Sequence, residues 1–414
     1  MSSSRQGRQC NSELYIDHKN MLILRIVDIW QLNLRHLRAM AAIGRLGSVT
    51  AAAQAISITQ PAITQALAKL EAQLQHQLFE RRPDGMTMLP AATIFAPRVE
   101  AALAHIASRR VTMAGVRTLI AVAKAGSYAG ASANTGLAQP SLHRTIQDLS
   151  IALKRPLVER RGQGIAITEQ GRRTVRAFRL GVAELEAGLS ELEALRGRET
   201  GRISIGAMPL SRARLLPTAV AEFYRERPDA RTVIVEGSFR ELIEPLRDGA
   251  IDVMIGALRD TSVGDDLVQS PLFIDRLVVL GRTDHPLAML KHDITVQDLA
   301  EYPWAISAPG TPLRIQWERM FAGTDLPGIP VESSSVLANR ELLRRSNLLT
   351  LLSPDQVAVE LEIGWLVKIC VAPGNLERNI GMTTRAGWRP TAMQEAFLQT
   401  LRSTAKEIRL SKNL

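Results

Sequence analysis

The spacing of apolar residues separates a helical first half of the chain from a mixed second half. Between Pro61 and Gln75, apolar residues recur at helical spacing and leave a polar outer face. In the second half, short apolar runs such as RISIGA and IDVMIGA alternate with amphipathic helical segments. Such an alternation favours a parallel sheet that is covered by helices. The pattern therefore predicts helical domains followed by an α/β domain with two lobes.

The first half contains one stretch of sequence twice. Residues 37–85 align without gaps onto residues 116–164, at an offset of 79 positions. The identical pairs are Arg38/Arg117, Ala42/Ala121, Gly47/Gly126, Ser48/Ser127, Ala52/Ala131, Gln60/Gln139, Pro61/Pro140, Leu70/Leu149, Leu74/Leu153, Leu78/Leu157, Glu80/Glu159, Arg81/Arg160, Arg82/Arg161 and Gly85/Gly164. A gapless match that includes the residues between helices indicates a duplicated structural unit.

Each copy is predicted to contain three short helices and a β hairpin. In copy 1 the helices cover residues 34–43, 49–55 and 61–75, and in copy 2 the first two cover 116–125 and 128–133. A Gly-Ser step separates the first two helices, since glycine ends a helix in left-handed geometry and serine caps the next. A Gln-Pro step begins the third helix, where proline fits the first turn. The segments FERRPDGMTM and VERRGQGIAIT read as hairpins, which completes a winged helix-turn-helix.

The third helix of a winged helix-turn-helix enters the DNA major groove, where polar side chains read base edges and nearby arginines contact phosphates. The candidate DNA-binding residues of copy 1 are Ser48, Gln60, Pro61, Thr64, Gln65, Lys69, Arg81 and Arg82. Those of copy 2 are Ser127, Gln139, Pro140, Ser141, His143, Arg144, Gln147, Arg160 and Arg161. The alternative is a pair of three-helix bundles that contact protein, but two copies in a basic half favour double-stranded DNA.

The charge of the chain is unevenly distributed. The net charge is +10, and residues 1–200 hold 26 Lys and Arg against 15 Asp and Glu, whereas residues 201–414 hold 25 against 26. This asymmetry indicates a polyanionic partner for the first half, and a solvated basic face is the other interpretation. Residues 109–179 carry 13 basic and 3 acidic residues, and residues 34–98 carry 7 and 3. Counterion release therefore favours copy 2 for affinity. Either both copies bind DNA or one copy is a scaffold.

A longer helix follows copy 2. Its apolar residues form a heptad seam, and they are Val175, Phe178, Val182, Leu185, Leu189 and Leu192. Because paired half-sites need a two-fold protein, we predict a dimerisation helix, with ordinary helix packing as the alternative. Residues 95–106, which include Pro97, are predicted to form a truncated version of this helix between the two copies.

The strand ends of the second half provide the candidate effector site. Ligands of parallel α/β sheets bind outside the carboxyl ends of the strands. The candidates are Met208, Pro209, Ser211, Gly237, Ser238, Phe239, Gly256, Ala257, Trp304 and Ser335. A cleft bounded by such residues suits a small carboxylate or a sugar. The serines of Ser333–Ser335 either bind an anion or cap the helix that follows.

The sequence lacks the motifs of common catalytic sites, so we predict that the protein is not an enzyme. The chain has no P-loop, no His-Glu-x-x-His and no Gly-x-Ser-x-Gly, and its seven histidines lack metal-ligand spacing. We expect no cofactor and no metal, and the two cysteines are too far apart in sequence to suggest a disulfide. No apolar run reaches a membrane span and no secretory signal is evident, so we expect a cytoplasmic protein without a membrane partner. The alternative class is a small-molecule-binding protein or enzyme of two α/β lobes with helical interaction domains.

The motifs of both halves resemble those of LysR-type transcriptional regulators from about residue 34 to residue 409. GSVTAAAQAISITQPAITQALAKLEAQLQHQLFERR matches the DNA-binding domain of the family, and GSYAGASANTGLAQPSLHRTIQDLS matches it more loosely. The stretches GRISIGAMP, LLPTAVAEFYRERPDARTVIVEG, DHPLA and DLAEYPW resemble its effector-binding domain. The family has one winged domain in each chain, and it usually has serine where Thr64 and His143 stand.

The resemblance implies a sequence-specific transcriptional regulator whose bound effector alters the geometry of the oligomer on its operator. The expected partners are a homodimer or homotetramer of the chain, DNA, a small-molecule effector and RNA polymerase. The fold class is multidomain, with two tandem winged helix-turn-helix domains, a dimerisation helix and a two-lobed α/β domain like that of periplasmic binding proteins. The predicted boundaries are tail 1–33, copy 1 34–92, connector 93–110, copy 2 111–170, dimerisation helix and hinge 171–200, lobe I 201–281 with 376–409, and lobe II 282–375.

Overall fold

A computed structural model describes residues 27–83, 85–162, 164–259, 263–374 and 376–411. The chain divides into two compact units, Met1–Arg198 and Glu199–Leu414. Each unit has its own apolar core, which is continuous in the first unit and divided between two lobes in the second. No helix among the described residues is long and apolar enough to cross a membrane.

The elements of the first unit repeat along the chain. Copy 1 comprises α1 (Leu34–Leu46), α2 (Val49–Ile56), α3 (Gln60–Leu74), β1 (Phe79–Arg82), β2 (Gly85–Met88) and α4 (Pro90–Ile106). Copy 2 comprises α5 (Met113–Ala125), α6 (Tyr128–Thr135), α7 (Gln139–Leu153), β3 (Val158–Arg161), β4 (Gly164–Ile167) and α8 (Glu169–Ala194). Each element of copy 2 begins 79 residues after its counterpart. The duplicated winged helix-turn-helix is therefore present in the structure, and α8 is longer than α4, with 26 residues against 17.

The residues between the first two helices act as the sequence predicts. Gly47 and Gly126 end α1 and α5 with φ angles of 63° and 66°, a conformation that favours glycine. Ser48 and Ser127 cap α2 and α6, because each hydroxyl accepts a hydrogen bond from a backbone N–H three residues later. The same two-residue signal therefore sets the turn between the helices in both copies.

The seam of α8 is buried inside its own chain, which corrects the prediction that it joins two chains. The helix packs against α4 and α5, and α4 begins at Pro90 rather than at residue 95. The six seam residues belong to the core of the first unit: Val175, Phe178, Leu185 and Leu192 are buried, and Val182 and Leu189 are half-buried. Periodicity identified the apolar face correctly, but the surface that covers it is supplied by the same chain.

The predicted tail extends too far into the fold. Ile29–Gln31 form a 3-10 turn that packs against α5 and α8, and Ile29 and Leu32 are buried in the core. Residues 27–33 therefore form a lead-in segment before α1, and its 3-10 turn packs on helices of copy 2. Cys10 and the rest of the predicted tail lie outside the described residues.

The second unit alternates strands and helices. Its elements are β5 (Arg202–Ala207), α9 (Leu215–Glu226), β6 (Arg231–Glu236), α10 (Phe239–Arg247), β7 (Val253–Ala257), β8 (Leu267–Arg276), β9 (Val278–Arg282), α11 (Val296–Ala300), β10 (Ala305–Ile306), α12 (Pro312–Met320), β11 (Val331–Glu332), α13 (Val336–Arg344), β12 (Thr350–Leu352), α14 (Ala358–Glu362), β13 (Leu366–Val371), β14 (Glu377–Arg385) and α15 (Ala392–Ser411). Short 3-10 turns at Pro286–Met289 and Pro354–Val357 complete the fold.

Two sheets form the two lobes. The sheet of lobe I has the strand order β6-β5-β7-β14-β8, in which β5, β6 and β7 are parallel and β14 runs antiparallel to both of its neighbours. The sheet of lobe II has the order β12-β9-β13 and is antiparallel, and β10 pairs with β11 beside it. Strand β8 of lobe I ends at Arg276 and Leu277 already lies in the core of lobe II, so the predicted end of the first segment of lobe I at residue 281 lies five residues too late.

Candidate nucleic-acid interface and effector site

Recognition helix α3 presents a polar outer face. Ile63, Leu70 and Leu74 face the core of copy 1, whereas all the predicted contact residues of this helix are exposed, namely Gln60, Pro61, Thr64, Gln65 and Lys69. The Thr59 hydroxyl accepts from the backbone N–H of Ala62 and caps the helix. This arrangement leaves one cation, Lys69, and several amides on the outer face of α3.

Recognition helix α7 has the same position in copy 2 but a different surface. Its predicted contact residues are all exposed, namely Gln139, Pro140, Ser141, His143, Arg144 and Gln147. Ala138 precedes the helix and supplies no side-chain cap. The Tyr128 ring lies 5.3 Å from the His143 ring, and both line an open hollow of about 540 Å³ together with Ser132, Gln139 and Pro140. Burial raises the pKa of Tyr128, so its hydroxyl stays protonated at neutral pH.

The charges on the two recognition faces differ at equivalent positions. Gln65 of α3 corresponds to Arg144 of α7, and Lys69 corresponds to Asp148. Val49 in copy 1 stands where Tyr128 stands in copy 2, so within the described residues only copy 2 pairs a ring with its third helix. The outer faces of the two helices therefore carry different hydrogen-bond donors, acceptors and charges.

The two wings share an arginine pair but differ in how they are held. Arg81, Arg82, Arg160 and Arg161 are exposed at the ends of β1 and β3, and Arg82 pairs with Glu80 at 2.8 Å. In copy 1, the Met86 N–H donates to the carbonyl of Gly47, and a Cβ at Gly85 would lie 2.5 Å from that oxygen. In copy 2, a Cβ at Gly164 would meet nothing closer than 3.8 Å. The wing of copy 1 is therefore fixed to the turn between α1 and α2.

The carboxyl ends of β5, β6 and β7 meet at one edge of lobe I. Met208 follows β5 and packs so closely on Gly256 that a Cβ there would lie 2.5 Å from it. The buried Ser211 hydroxyl donates to the Met208 carbonyl at 2.9 Å. Ser238 caps α10, and its N–H donates to Glu241 at 2.7 Å. The predicted residues of these three loops, which also include Pro209, Gly237 and Ala257, therefore lie together, although several of them serve the local fold.

Two of the predicted effector contacts have structural roles instead. Trp304 is fully buried in the core of lobe II, where its indole N–H donates to the Leu299 carbonyl and its ring packs against Trp317 and Phe321. It does not line a cleft, which corrects the prediction. Ser335 caps α13 by accepting from the backbone N–H of Ala338. Of the two interpretations of the serine run, the structure supports the capping role.

Two arginines that the sequence did not single out lie at the edge of lobe I. The Arg259 guanidinium stacks over the Phe239 ring, with its carbon 4.4 Å from the ring centre. Burial and the positive charge of Arg240 lower the pKa of Arg259. The Arg259 backbone is fixed by two hydrogen bonds with the Gln269 side chain. Arg240 and Arg259 therefore lie at the edge of lobe I where α10 begins. The sequence signal for Arg259 is its position just after the buried strand β7.

A buried carboxylate joins the two lobes where the chain crosses between them. Asp275, at the end of β8, accepts from the Ser353 hydroxyl at 2.5 Å and from Arg378 at 2.6 Å. Ser353 belongs to lobe II, whereas Arg378 lies on β14 of lobe I. A second contact joins Arg214, before α9, to Asp355 of lobe II at 3.5 Å. One hydrogen bond, between Ser353 and Asp275, and one ion pair, between Arg214 and Asp355, therefore cross between the lobes.

Two family models match the chain in three places. The model described as bacterial regulatory helix-turn-helix protein, lysR family, matches residues 34–93 and again residues 113–172. The model described as LysR substrate binding domain matches residues 196–406. The chain belongs to the LysR family of bacterial transcriptional regulators. It is a DNA-binding regulator with a C-terminal effector-binding domain, and the matched families are regulators rather than enzymes.

Curated relatives differ in how much of this LysR-family regulator they match. The transcriptional regulator GalR of Pseudomonas putida is 30% identical over 397 residues, which cover 92% of this chain and 100% of that protein. PcaQ of Agrobacterium fabrum is 26% identical and covers 72% of this chain and 97% of its own length. The 8% of this chain outside the first match is shorter than one winged unit, so that match reaches both units, whereas the 28% outside the second is longer than one unit.

Solved structures show the same fold. A full-length OxyR variant from Pseudomonas aeruginosa is 19% identical, with a TM-score of 0.52, and covers 72% of this chain and 95% of its own. Full-length CbnR complexed with its target DNA is 17% identical, with a TM-score of 0.51, and covers 70% of this chain and 99% of its own. These likenesses support the multidomain architecture of winged helix-turn-helix and two-lobed α/β domain.

Proposed function

We propose that both winged units of this regulator read DNA, through the outer faces of α3 and α7 and through the arginines of the wings. The observation that carries this proposal is that the predicted contact residues on both helices and both wings are exposed. Exposed amides, hydroxyls and cations on a recognition helix are the groups that bind base edges and phosphates. Ser48 and Ser127 are the exception, because both already cap helices.

Footprinting on the DNA upstream of the regulator's own gene tests the proposal. We expect a protected region that is lost progressively with salt, because phosphate contacts release counterions. Substitution of Gln65 or Arg144 by alanine should weaken binding, whereas alanine at Arg225, an exposed residue of α9, serves as a control for surface charge. If Gln65→Ala matches wild type at every salt concentration, copy 1 does not read DNA.

The proposed effector is a small molecule that carries a carboxylate, bound between the lobes at the carboxyl ends of β5, β6 and β7. The observation that supports it is the pair of cations Arg240 and Arg259 beside the first turn of α10. A helix N-terminus and a guanidinium both favour an anion. Bound effector bridges the lobes and changes their closure, which alters how the subunits of a homodimer or homotetramer are held on the operator.

A thermal-shift screen of the full chain tests the effector class. Small carboxylic acids should raise the melting temperature, since a ligand at a hundred times its Kd stabilises the native state by about 2.7 kcal/mol. Arg259→Gln should abolish the shift, whereas Arg231→Gln, an exposed arginine at the opposite end of β6, should retain it. A shift with neutral sugars but not with acids would contradict a carboxylate effector.

The remaining partners follow from this role. Because a bacterial regulator must reach chromosomal DNA, we infer that the protein is cytoplasmic. We also infer that it contacts RNA polymerase at the promoter. Co-purification of the polymerase with the regulator on promoter DNA, but not on DNA of unrelated sequence, tests that contact.

A further inference from the structure

The contact between α4 and α8 brings equivalent positions of the two copies together. The helices run antiparallel, because Phe95 near the start of α4 meets Gly188 near the end of α8, while Ile106 at the end of α4 meets Gly181. A Cβ at Gly181 would lie 3.1 Å from the carbonyl oxygen of Ala102. Ala102 and Gly181 are 79 positions apart, so they are counterparts in the repeat. Counterpart residues face each other only where a two-fold axis crosses a pair of helices.

A second pair of contacts repeats the same relation. Arg38 of α1 donates to the carbonyls of Ser108 and Arg109, which precede copy 2. Arg117, the counterpart of Arg38, lies over the ring of Trp30, and Trp30 is the counterpart of Arg109. Each copy therefore contacts the residues that precede the first helix of the other copy, and the contact is made by equivalent arginines, Arg38 and Arg117. Reciprocal contacts of this kind define a two-fold interface, which here joins two halves of one chain.

We propose that the two winged units form a two-fold-like pair within a single chain, so that one chain contacts both halves of a two-part operator. The proposal rests on the DNA-binding role given above. We call this pair of winged units, with its recognition helices α3 and α7, the head. One chain forms a complete head without a second copy of the chain. A dimer or tetramer that assembles through other surfaces therefore contains several complete heads.

Packing at the helix crossing selects α4 with α8 over two copies of α8. The Phe95 ring fills the space at Gly188, where a methyl group would lie 2.6 Å from it. The counterpart of Phe95 on α8 is Thr174. Two α8 helices in the same register would place the smaller threonine opposite Gly188 and leave a void. A large residue against a glycine therefore favours the mixed pair.

A buried ion pair strengthens this selection. Arg98 of α4 binds Glu191 and Glu184 of α8 at 2.7 and 3.2 Å, and its side chain is only 7% exposed. The counterpart of Arg98 on α8 is Ala177. In a pair of α8 helices, an alanine would replace the arginine opposite each set of carboxylates. Removal of the partner from a buried charge is strongly unfavourable, so the ion pair specifies α4 against α8.

The operator expected for this head is asymmetric. The recognition helices differ in charge at two of their outward positions, where Gln65 corresponds to Arg144 and Lys69 to Asp148. A head made from two identical chains reads the same sequence twice, whereas this one presents α3 to one half-site and α7 to the other. We therefore expect two half-sites of different sequence under each chain.

Charge reversal in the same chain or in different chains tests the pairing. One full-length chain carries Arg98→Glu, a second carries Glu184→Arg with Glu191→Arg, and a third carries all three changes. We expect amide exchange in α4 to quicken by about a hundredfold or more in the first two chains and to return toward wild type in the third. When the first two chains are co-expressed, the amides of α4 should still exchange quickly. If the mixture is insoluble under conditions in which the third chain is soluble, the result has the same meaning.

The mixture distinguishes pairing within a chain from exchange between chains. If two chains exchange α4 and α8, every pair in the mixed dimer regains opposite charges, and protection returns. That result would overturn the proposal, and so would a third chain that stays unprotected. These readings do not depend on DNA, so failure of the pairing is distinguishable from failure of DNA binding.

Footprints of two further variants test the asymmetric operator. Gln65→Ala should weaken protection in one half-site of each pair, and Arg144→Ala should weaken it in the other. If Arg144→Ala weakens both half-sites equally and Gln65→Ala affects neither, the head reads DNA with copy 2 from two chains, and the proposal is wrong.

Discussion

Replacing Arg98 with methionine measures how strongly α4 and α8 are held together. The guanidinium donates to both oxygens of Glu191 at 3.0 and 2.7 Å and to Glu184 at 3.2 Å. Although burial opposes the charge, the hydrogen bonds and charges of these carboxylates raise the pKa of Arg98. The carboxylate side chains are only 14% and 19% exposed, so water provides little screening. Removal of one partner from such a cluster costs about 3–5 kcal/mol.

Amide hydrogen exchange of the full chain measures this loss where it occurs. Since every 1.4 kcal/mol is about a tenfold change in an equilibrium, protection of α4 and α8 should fall by about a hundredfold to several thousandfold. Arg173→Met is a matched control, because Arg173 lies on α8 and pairs with Glu169, but its side chain is 77% exposed. An exposed pair of this kind contributes about 0–1 kcal/mol.

Two results would refute this reasoning. Protection that falls no more in Arg98→Met than in Arg173→Met would show that the buried cluster does not hold the helices. A chain in which Arg98, Glu184 and Glu191 are all replaced by apolar residues should recover most of the loss, because no charge is then left buried without a partner. If this triple variant loses as much amide protection as Arg98→Met, the side chains contribute through packing instead of charge.

Three further predictions concern DNA affinity, helix packing and acid stability. Arg144→Ala should weaken operator binding more than Gln65→Ala and reduce the salt slope by about one unit, as measured by gel shift over a salt series. Gly188→Ala should destabilise the first unit by about 1–3 kcal/mol in urea unfolding, because its methyl group meets Phe95, whereas Gly115→Ala has room and should gain up to about 1 kcal/mol. Burial lowers the pKa of His285, so the stability that its neutral ring contributes is complete above the unfolded value and is lost as pH falls through the folded one. Urea unfolding between pH 7 and pH 5 should therefore show a smaller loss in His285→Gln than in wild type.

Each of these has an outcome that contradicts it. Equal losses of affinity and salt slope at Gln65 and Arg144 would mean that copy 2 does not dominate binding. A Gly188→Ala variant as stable as Gly115→Ala would place the helices further apart than described. A His285→Gln variant that loses stability with acid as steeply as wild type would assign the acid sensitivity to other groups.

Most of the fold of the first unit could be predicted from the repeated sequence. Helix-ending glycines, capping serines and the Gln-Pro steps recur at one offset, and each acts through local geometry that sequence determines. The partner of the α8 seam was not predictable, because periodicity shows which face of a helix is apolar but not what covers it. The short match at residues 95–106 also hid the full length of α4, which begins at Pro90.

The effector domain shows a similar limit. Strands β5, β6 and β7 follow from alternating apolar and amphipathic runs, since strand–helix–strand connections favour parallel pairing of the strands. Strand β14 pairs with β7 and β8 from about a hundred residues away, and no local signal places it there. Trp304 is predicted at the cleft, but its large apolar ring is buried in the core of lobe II and its indole N–H donates to the Leu299 carbonyl. Arg259 follows a buried strand, which is a weak signal, because cations at ordinary surface positions often follow strands too.

Separate codons for α3 and α7 change how such a regulator can evolve. In a head built from two identical chains, one mutation alters the reading of both half-sites, and the promoter must change twice to match it. Here Lys69 and Asp148 occupy the same place in the two helices but are encoded by different codons, so either one can mutate without the other. One half of an operator can therefore drift, and one helix can follow it, while recognition of the other half stays intact.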